Sequence, residues 1–345
     1  MTAPTAISPR EVERALVRFP NWLGDTVLAL PTLRALRSAL PGTELWCLGP
    51  WVGPVLETEA GVARRLAPPR RPSARLAQAR RLRQARFDLA LILPNSFETA
   101  LVGWLSGARW RVGYGEGRRW LLTHPLRSGP GPIHQVASYL RLLKPLGIEV
   151  SPAAPTLPTL TVDPARRVAA RRLLDEVGLP TGAARVGLQL GAALGPAKLW
   201  PTERIAQLAT RLEADGIRVV LLGASQATGL ADAVQTAAPA PIRSLVGRDN
   251  PALLPALIAE LDAVVGADSG PAHVAAAVGV PAVTLFGPTD PRLTAPVGSR
   301  HQALWHRPAC GPCFLRQCPI DHRCLRAIEV AEVEGAVRAA IEKRR

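Results

Sequence analysis

With 345 residues and 48% apolar side chains, the chain has enough core-forming sequence for two domains of ordinary size, which excludes a disordered class. Forty-two Lys and Arg against 27 Asp and Glu leave a formal net charge of +15, a balance that speaks to anionic partners and not to fold. The stretch from Met1 to Arg18 lacks the apolar run of a secretory leader, and the longest uncharged stretch, Ser269 to Thr289, is broken by six Gly or Pro residues. A soluble or peripheral, cytoplasmic protein is therefore expected.

Short apolar or β-branched runs alternate with helical patterns, the signature of parallel βαβ units. A strand is expected at Ala15 to Phe19, a helix at Thr26 to Ala39 and a strand at Glu44 to Leu48. Between Glu59 and Asp88 come nine arginines and no acid, with Ser73 to Arg86 reading as an Arg-rich helix. That helix either carries a solvated face or meets an anionic surface. A strand at Leu89 to Leu93, a helix near Phe97 to Leu105 and a helix at Gln135 to Leu146 complete the first half.

The Pro-rich stretch Ser151-Pro-Ala-Ala-Pro-Thr-Leu-Pro has the composition of an interdomain linker. It divides the chain into residues 1–160 and 161–345. The alternation then restarts with a helix at Ala165 to Val177, a strand at Arg185 to Leu190, a helix at Thr202 to Ala214 and a strand at Arg218 to Leu222. Strands at Ala263 to Gly266 and Ala282 to Phe286 bracket a helix at Ala272 to Val278, and Glu329 to Lys343 is a final helix. The fold class is α/β: two Rossmann-like doubly wound domains facing a cleft, with ligands at the carboxyl ends of the strands.

Three strand-to-helix loops can carry chemistry. In Phe19-Pro-Asn-Trp-Leu-Gly-Asp25, Asp25 is either a helix N-cap or a general base able to accept a proton from a hydroxyl. In Gly191-Ala-Ala-Leu-Gly-Pro-Ala-Lys198, the small residues Gly191, Ala192 and Ala193 let backbone amides approach an anion. Lys198, one of only three lysines in the chain, can neutralise a departing diphosphate. The loop is no Walker A sequence, because the Gly-Lys-Ser/Thr ending is absent. In Gly266-Ala-Asp-Ser-Gly-Pro-Ala-His273, Asp268 can accept bonds from sugar hydroxyls, Ser269 and Gly270 can offer amides to phosphate, and His273 lies in the first helical turn.

Taken with Arg111-Val-Gly-Tyr114, Gly117 to Thr123, His134-Gln-Val136, Tyr139-Leu140 and Phe286-Gly-Pro-Thr-Asp-Pro291, these motifs resemble glycosyltransferase family 9. That family includes the ADP-heptose:lipopolysaccharide heptosyltransferases, and the resemblance is greatest to the branch that adds the second heptose. It implies a GT-B fold, with an acceptor-side domain over 1–160 and a nucleotide-sugar domain over 161–345. It implies an inverting transfer of heptose from ADP-heptose to the phosphorylated lipid A-core, made by an enzyme peripheral at the inner leaflet of the cytoplasmic membrane. Asp25 is then the base, Lys198 the diphosphate contact and Asp268 the holder of the donor sugar. Gly191, Ala192, Ala193, Ser269, Gly270 and His273 surround the phosphates. The loop departs from the family pattern at Gly191 to Leu194, which lacks a hydroxyl and an aromatic, and at Leu199, where Arg is common. No cofactor is expected for catalysis, since no Asp-x-Asp pair lies near the donor loops.

Cys310, Cys313, Cys318 and Cys324 fall within 15 residues. In a reducing compartment such spacing points to a structural zinc or iron held by four thiolates, the plainer alternative being reduced thiols packed as small apolar groups. Cys47 sits on a strand that reads as buried.

Two rival functions share the sequence. One is a GT-B transferase or epimerase using another sugar nucleotide. The other is a basic nucleic-acid-binding protein, suggested by a pI near 11.1. No helix-turn-helix, RNP or KH signature appears and the arginines lack interleaved aromatics, so nucleic acid is not expected as a partner.

Overall fold

The computed structural model describes residues 6–69, 71–149, 157–179, 181–248 and 251–344. Residues 151–156 of the expected linker lie outside them. The chain forms two compact units, Met1–Pro158 and Thr159–Arg345.

The first unit holds β1 (Arg14–Arg18), β2 (Glu44–Leu48), β3 (Val62–Leu66), β4 (Leu89–Ile92), β5 (Trp110–Tyr114) and β6 (His124–Leu126). They form one parallel sheet in the order β3-β2-β1-β4-β5-β6. The second unit holds β7 (Arg185–Gln189), β8 (Arg218–Leu222), β9 (Arg243–Ser244), β10 (Ala263–Ala267), β11 (Ala282–Leu285) and β12 (Gln302–Leu304). They too run parallel, in the order β12-β11-β10-β7-β8-β9. Renumbered from the first strand of each unit, both orders are 3-2-1-4-5-6. The chain therefore reverses direction across the sheet between β1 and β4, and again between β7 and β10. Those are the two places where loops diverge at the carboxyl edge and leave a crevice for a ligand.

Central strands are buried on both faces, which is why they read as unbroken apolar runs: all four residues of β4 are buried, and four of five in β1 and β7. The edge strands β3, β9 and β12 keep exposed or half-exposed residues. In the second unit, Val186, Leu188 and Val265 of the sheet pack with Leu208 and Leu212 of the helix Thr202–Ala214 and with Val333 and Val337 of the helix Val330–Glu342.

Two expected helices are interrupted, each at a proline. The single helix expected over Thr26 to Ala39 is two, Leu23–Leu28 and Leu30–Ala39, because Pro31 has no N–H to continue the ladder. The helix from Gln135 ends at Arg141, and Pro145 sits in a separate 3₁₀ turn, Lys144–Leu146. Among the described residues no helix is long and apolar enough to cross a membrane.

Candidate active site

In the second unit, β7 and β10 lie side by side with Val264 opposite Gly187 and Gly266 opposite Gln189. The loops that follow these two strands therefore emerge at the same place. After β7 the chain turns through Gly191 and Gly195, both at positive φ, into one 3₁₀ turn, Pro196–Lys198. After β10 it passes Asp268 and Ser269 into the helix Gly270–Ala277, with Pro271 in its first turn.

Lys198, Asp268 and His273 are all buried here. Lys198 Nζ donates to Asp268 Oδ2 at 2.6 Å and to the Asp268 carbonyl at 2.7 Å. Thr289 Oγ1 donates to the same Oδ2 at 2.8 Å, and Thr294 Oγ1 lies 3.3 Å from both carboxylate oxygens. His273 Nε2 stands 3.9 Å from Asp268 Oδ1. One carboxylate thus gathers a lysine, two threonines and a histidine from three separate loops. The Ser269 hydroxyl is buried and has no partner among the described residues, a donor left over at the mouth of a helix N-terminus. Thr294 carried no signal of its own in the sequence. Thr289 lies in the Phe286-Gly-Pro-Thr-Asp-Pro291 motif, whose role is visible only once Asp268 is placed against it.

In the first unit, β1 leads through Phe19 to Trp22 into the helix Leu23–Leu28. Asp25 is the third helical residue, and Trp22 occupies the cap position with no side-chain capping bond. Asp25 is therefore not the N-cap residue: it stands within the first helical turn, half-buried. Its neighbour is Tyr139, whose hydroxyl is pushed well above the usual phenol range by burial, with the Asp25 carboxylate adding to the shift.

Two buried arginines stand in this unit, Arg18 outside every motif of the sequence and Arg118 within the Gly117 to Thr123 motif but with no role suggested for it there. Arg18, the last residue of β1, reaches Asn21 Oδ1 at 2.6 Å and the Phe19 carbonyl, and burial lowers its pKa to about 10 while Glu98 opposes the shift. Arg118 donates to the carbonyls of Tyr114 (2.8 Å) and Ser96 (2.6 Å) and to Thr99 Oγ1 (3.1 Å). Burial lowers its pKa too. For Arg18 the available signal was a charged residue closing the apolar run of a strand.

The cysteine segment makes contacts that its spacing does not suggest. Cys310 and Cys313 are exposed, Cys318 and Cys324 half-buried, and all four are free thiols. Among the described residues no three or more His, Cys, Asp or Glu side chains stand together as metal ligands. Four thiolates would suit zinc or iron chemically, but these are not gathered to hold it. The backbone of the segment is bonded to the loops that carry Lys198 and Thr289. The Arg316 carbonyl accepts from Ala197 N–H at 3.1 Å, beside Lys198, and Phe314 N–H donates to the Pro288 carbonyl at 2.8 Å, beside Thr289.

The profile described as glycosyltransferase family 9 (heptosyltransferase) matches residues 75–323. The chain belongs to this family. Lipopolysaccharide heptosyltransferase 2 of Escherichia coli strain K12 is 32% identical over 84% of this chain and 87% of its own length. Lipooligosaccharide heptosyltransferase 2 of Haemophilus influenzae is 29% identical over 83% of this chain and 86% of its own. Both carry the name of the second-heptose branch that the motifs resemble. The solved structure of E. coli ADP-heptose LPS heptosyltransferase II matches with a TM-score of 0.82 at 27% identity, covering 96% of this chain and 99% of that one. The paired parallel six-stranded sheets are the GT-B architecture of such glycosyltransferases. Lys198, Asp268 and His273 fall within the segment matched to the family, and Asp25 lies before it.

Proposed function

We propose that this glycosyltransferase is an inverting heptosyltransferase that moves heptose from ADP-heptose to a hydroxyl of the lipopolysaccharide inner core. The observation that carries the reading is the buried Lys198–Asp268 pair at the β7/β10 switch point, in a chain so similar to proteins named lipopolysaccharide heptosyltransferase 2.

In this reading the nucleotide-sugar half is 161–345 and the acceptor half 1–160. The acceptor oxygen attacks the anomeric carbon as the bond from that carbon to the diphosphate oxygen breaks, and Asp25 takes the hydroxyl proton. Negative charge grows on the departing ADP. Lys198, the Ser269 hydroxyl and amide, the Gly270 amide and the amides of Gly191, Ala192 and Ala193 meet that charge. Asp268 holds the sugar hydroxyls and His273 borders the phosphates. No metal or organic cofactor takes part in these steps. The acceptor is lipid-borne, which makes the inner leaflet the place of work and the protein peripheral there.

Turnover of ADP-heptose, UDP-N-acetylglucosamine and GDP-mannose on defined truncated cores tests this directly, with NMR of the product reporting the anomeric configuration. Heptose transfer from ADP-heptose with inversion is expected. Transfer from another donor, or epimerised nucleotide sugar as the sole product, would favour the rival within the fold.

A further inference from the structure

We propose that an exposed aromatic stripe on the helix Phe97–Leu105, closed at one end by Trp120, seats in the interfacial layer of an anionic lipid bilayer. The inference deepens the peripheral placement above and rests on that reading for its biological setting, though not for its test.

The helix Phe97–Leu105 has two unlike faces. Thr99, Ala100 and Gly103 are buried, and Gly103 lies so close to β4 that a Cβ there would meet Ile92 Cδ1 at 2.5 Å. Phe97, Leu101 and Trp104 follow at i, i+4 and i+7, one line along the flank of the helix, where Leu101 packs against the core cluster of Ile92, Ala100, Leu121 and Leu122. Core helices bury such a line, but here Phe97 is 49% and Trp104 48% exposed, with Leu101 half-buried between them. Trp120, 69% exposed, leans on Phe97 with ring centroids 5.7 Å apart. Scattered apolar residues on a surface need no explanation, but a continuous line ending in two tryptophans does. An indole has an apolar body and one N–H, which suits it to the boundary between acyl chains and headgroups.

The charge beside the stripe selects the occupant. The neighbouring helix Pro72–Gln84 packs Leu82 into the same core cluster that Val102 lines, and Arg75 lies 3.9 Å from Glu98, on the first turn of the aromatic helix. From Arg71 to Arg86 the arginines 71, 75, 80, 81, 83 and 86 are all exposed, and no acid occurs between Glu59 and Asp88. Guanidinium groups pair bidentately with phosphate, so an apolar line flanked by arginines matches an anionic bilayer surface in both of its parts. A second copy fits poorly, because a two-fold contact would set the same arginines against each other.

The test uses full-length protein and sedimentation with phosphatidylethanolamine vesicles containing phosphatidylglycerol, without acceptor or ADP-heptose. A failure of the transferase reading therefore leaves the result intact. Wild type is expected to bind at about 0.1 M salt and to keep a residual fraction at about 0.5 M, where Coulombic attraction is screened. Trp104→Ser with Trp120→Ser should lower partition roughly tenfold and abolish the residual fraction, as removal of buried aromatic area demands. Trp104→Gln, in a helix position that tolerates Gln, should act in the same direction with unchanged thermal midpoint and ADP affinity. Changing Arg75, Arg80, Arg81 and Arg83 to Gln should remove only the salt-sensitive part. The proposal is overturned if the tryptophan variants partition like wild type, or if wild type ignores these vesicles. It is equally overturned if wild type self-associates through this face, or if single-stranded RNA binds more tightly than the vesicles and loses affinity in the tryptophan variants.

Discussion

Lys198 and Asp268 are 70 residues apart in the chain, yet the ammonium nitrogen and a carboxylate oxygen meet at 2.6 Å with both side chains buried. They meet because β7 and β10 are neighbours in the sheet, so the two loops leave the carboxyl edge together. A buried pair of this kind is hard to dissect by one substitution, since removing either partner strands the other charge. The cost of that stranding is about 3–5 kcal/mol.

Lys198→Ala should therefore lose stability as well as activity, with turnover down on the order of 10²–10³-fold. The double variant Lys198→Ala/Asp268→Asn no longer buries a lone carboxylate. It should regain much of the stability in urea unfolding while turnover stays as low as in the single variant. Recovery of turnover along with stability would make the lysine a structural ion-pair partner only.

Asp25→Asn should keep the fold, because the amide is isosteric with the carboxylate and the residue is half-buried in the first helical turn and not at the cap position. Turnover should fall by about 10²–10⁴-fold, the usual size of a lost general base, with ADP affinity unchanged. An undamaged acceptor turned over at near-normal rate by this variant would remove Asp25 from the chemistry.

How much of this was legible beforehand follows burial. The strand Glu44–Leu48 and the helices Phe97–Leu105 and Thr202–Ala214 have the expected bounds, because continuous apolar runs and 3.6-residue periodicity report central elements directly. β3, with Arg64 and Arg65, and the two-residue β9 gave no such pattern, since an edge strand need not be apolar. Lys198 and Asp268 were visible through their loops, but their pairing was not, because strand order is non-local. Thr289 and Thr294 were less visible still: a threonine that orients a carboxylate looks like any other threonine until the carboxylate is beside it. The cysteines differ in the opposite way, because their most visible feature is not the one the structure displays. Spacing alone suggested ligation, whereas the backbone between them is occupied in bracing other loops.

Gly195 shows how tight that bracing is. Its φ is +140°, and a Cβ there would lie 2.5 Å from the Arg316 carbonyl oxygen, which already accepts from Ala197 N–H. Gly195→Ala should cost roughly 1–3 kcal/mol and displace the Lys198 turn, so turnover should drop with it. Gly229→Ala, in a helix with open space around it, is the control. It should be neutral or gain up to about 1 kcal/mol with turnover unchanged. Equal behaviour of the two variants in both assays would mean that the contact with the cysteine segment does not position Lys198.

The thiols themselves give the last prediction. Cys310 and Cys313 are exposed, whereas Cys324 is half-buried and its pKa is raised, chiefly by burial. Cys47, inside β2, is pushed up to about 12 by burial. The thiolate is the reactive form, so exposure and pKa together order the rates. Titration of the native protein with an aromatic disulfide near pH 8 should show Cys310 and Cys313 reacting fastest. Cys324 should follow, being half-buried, and its rate should keep climbing as pH rises beyond the usual thiol range because burial raises its pKa. Cys47 should stay silent until the protein is unfolded. Mapping the modified peptides by mass spectrometry assigns each phase to its residue. If all four segment thiols instead react slowly and together, and anaerobically purified protein carries one zinc or iron per chain, the segment closes around a metal in solution. The brace on Lys198 would then be metal-dependent, and chelation should lower turnover in step with metal loss.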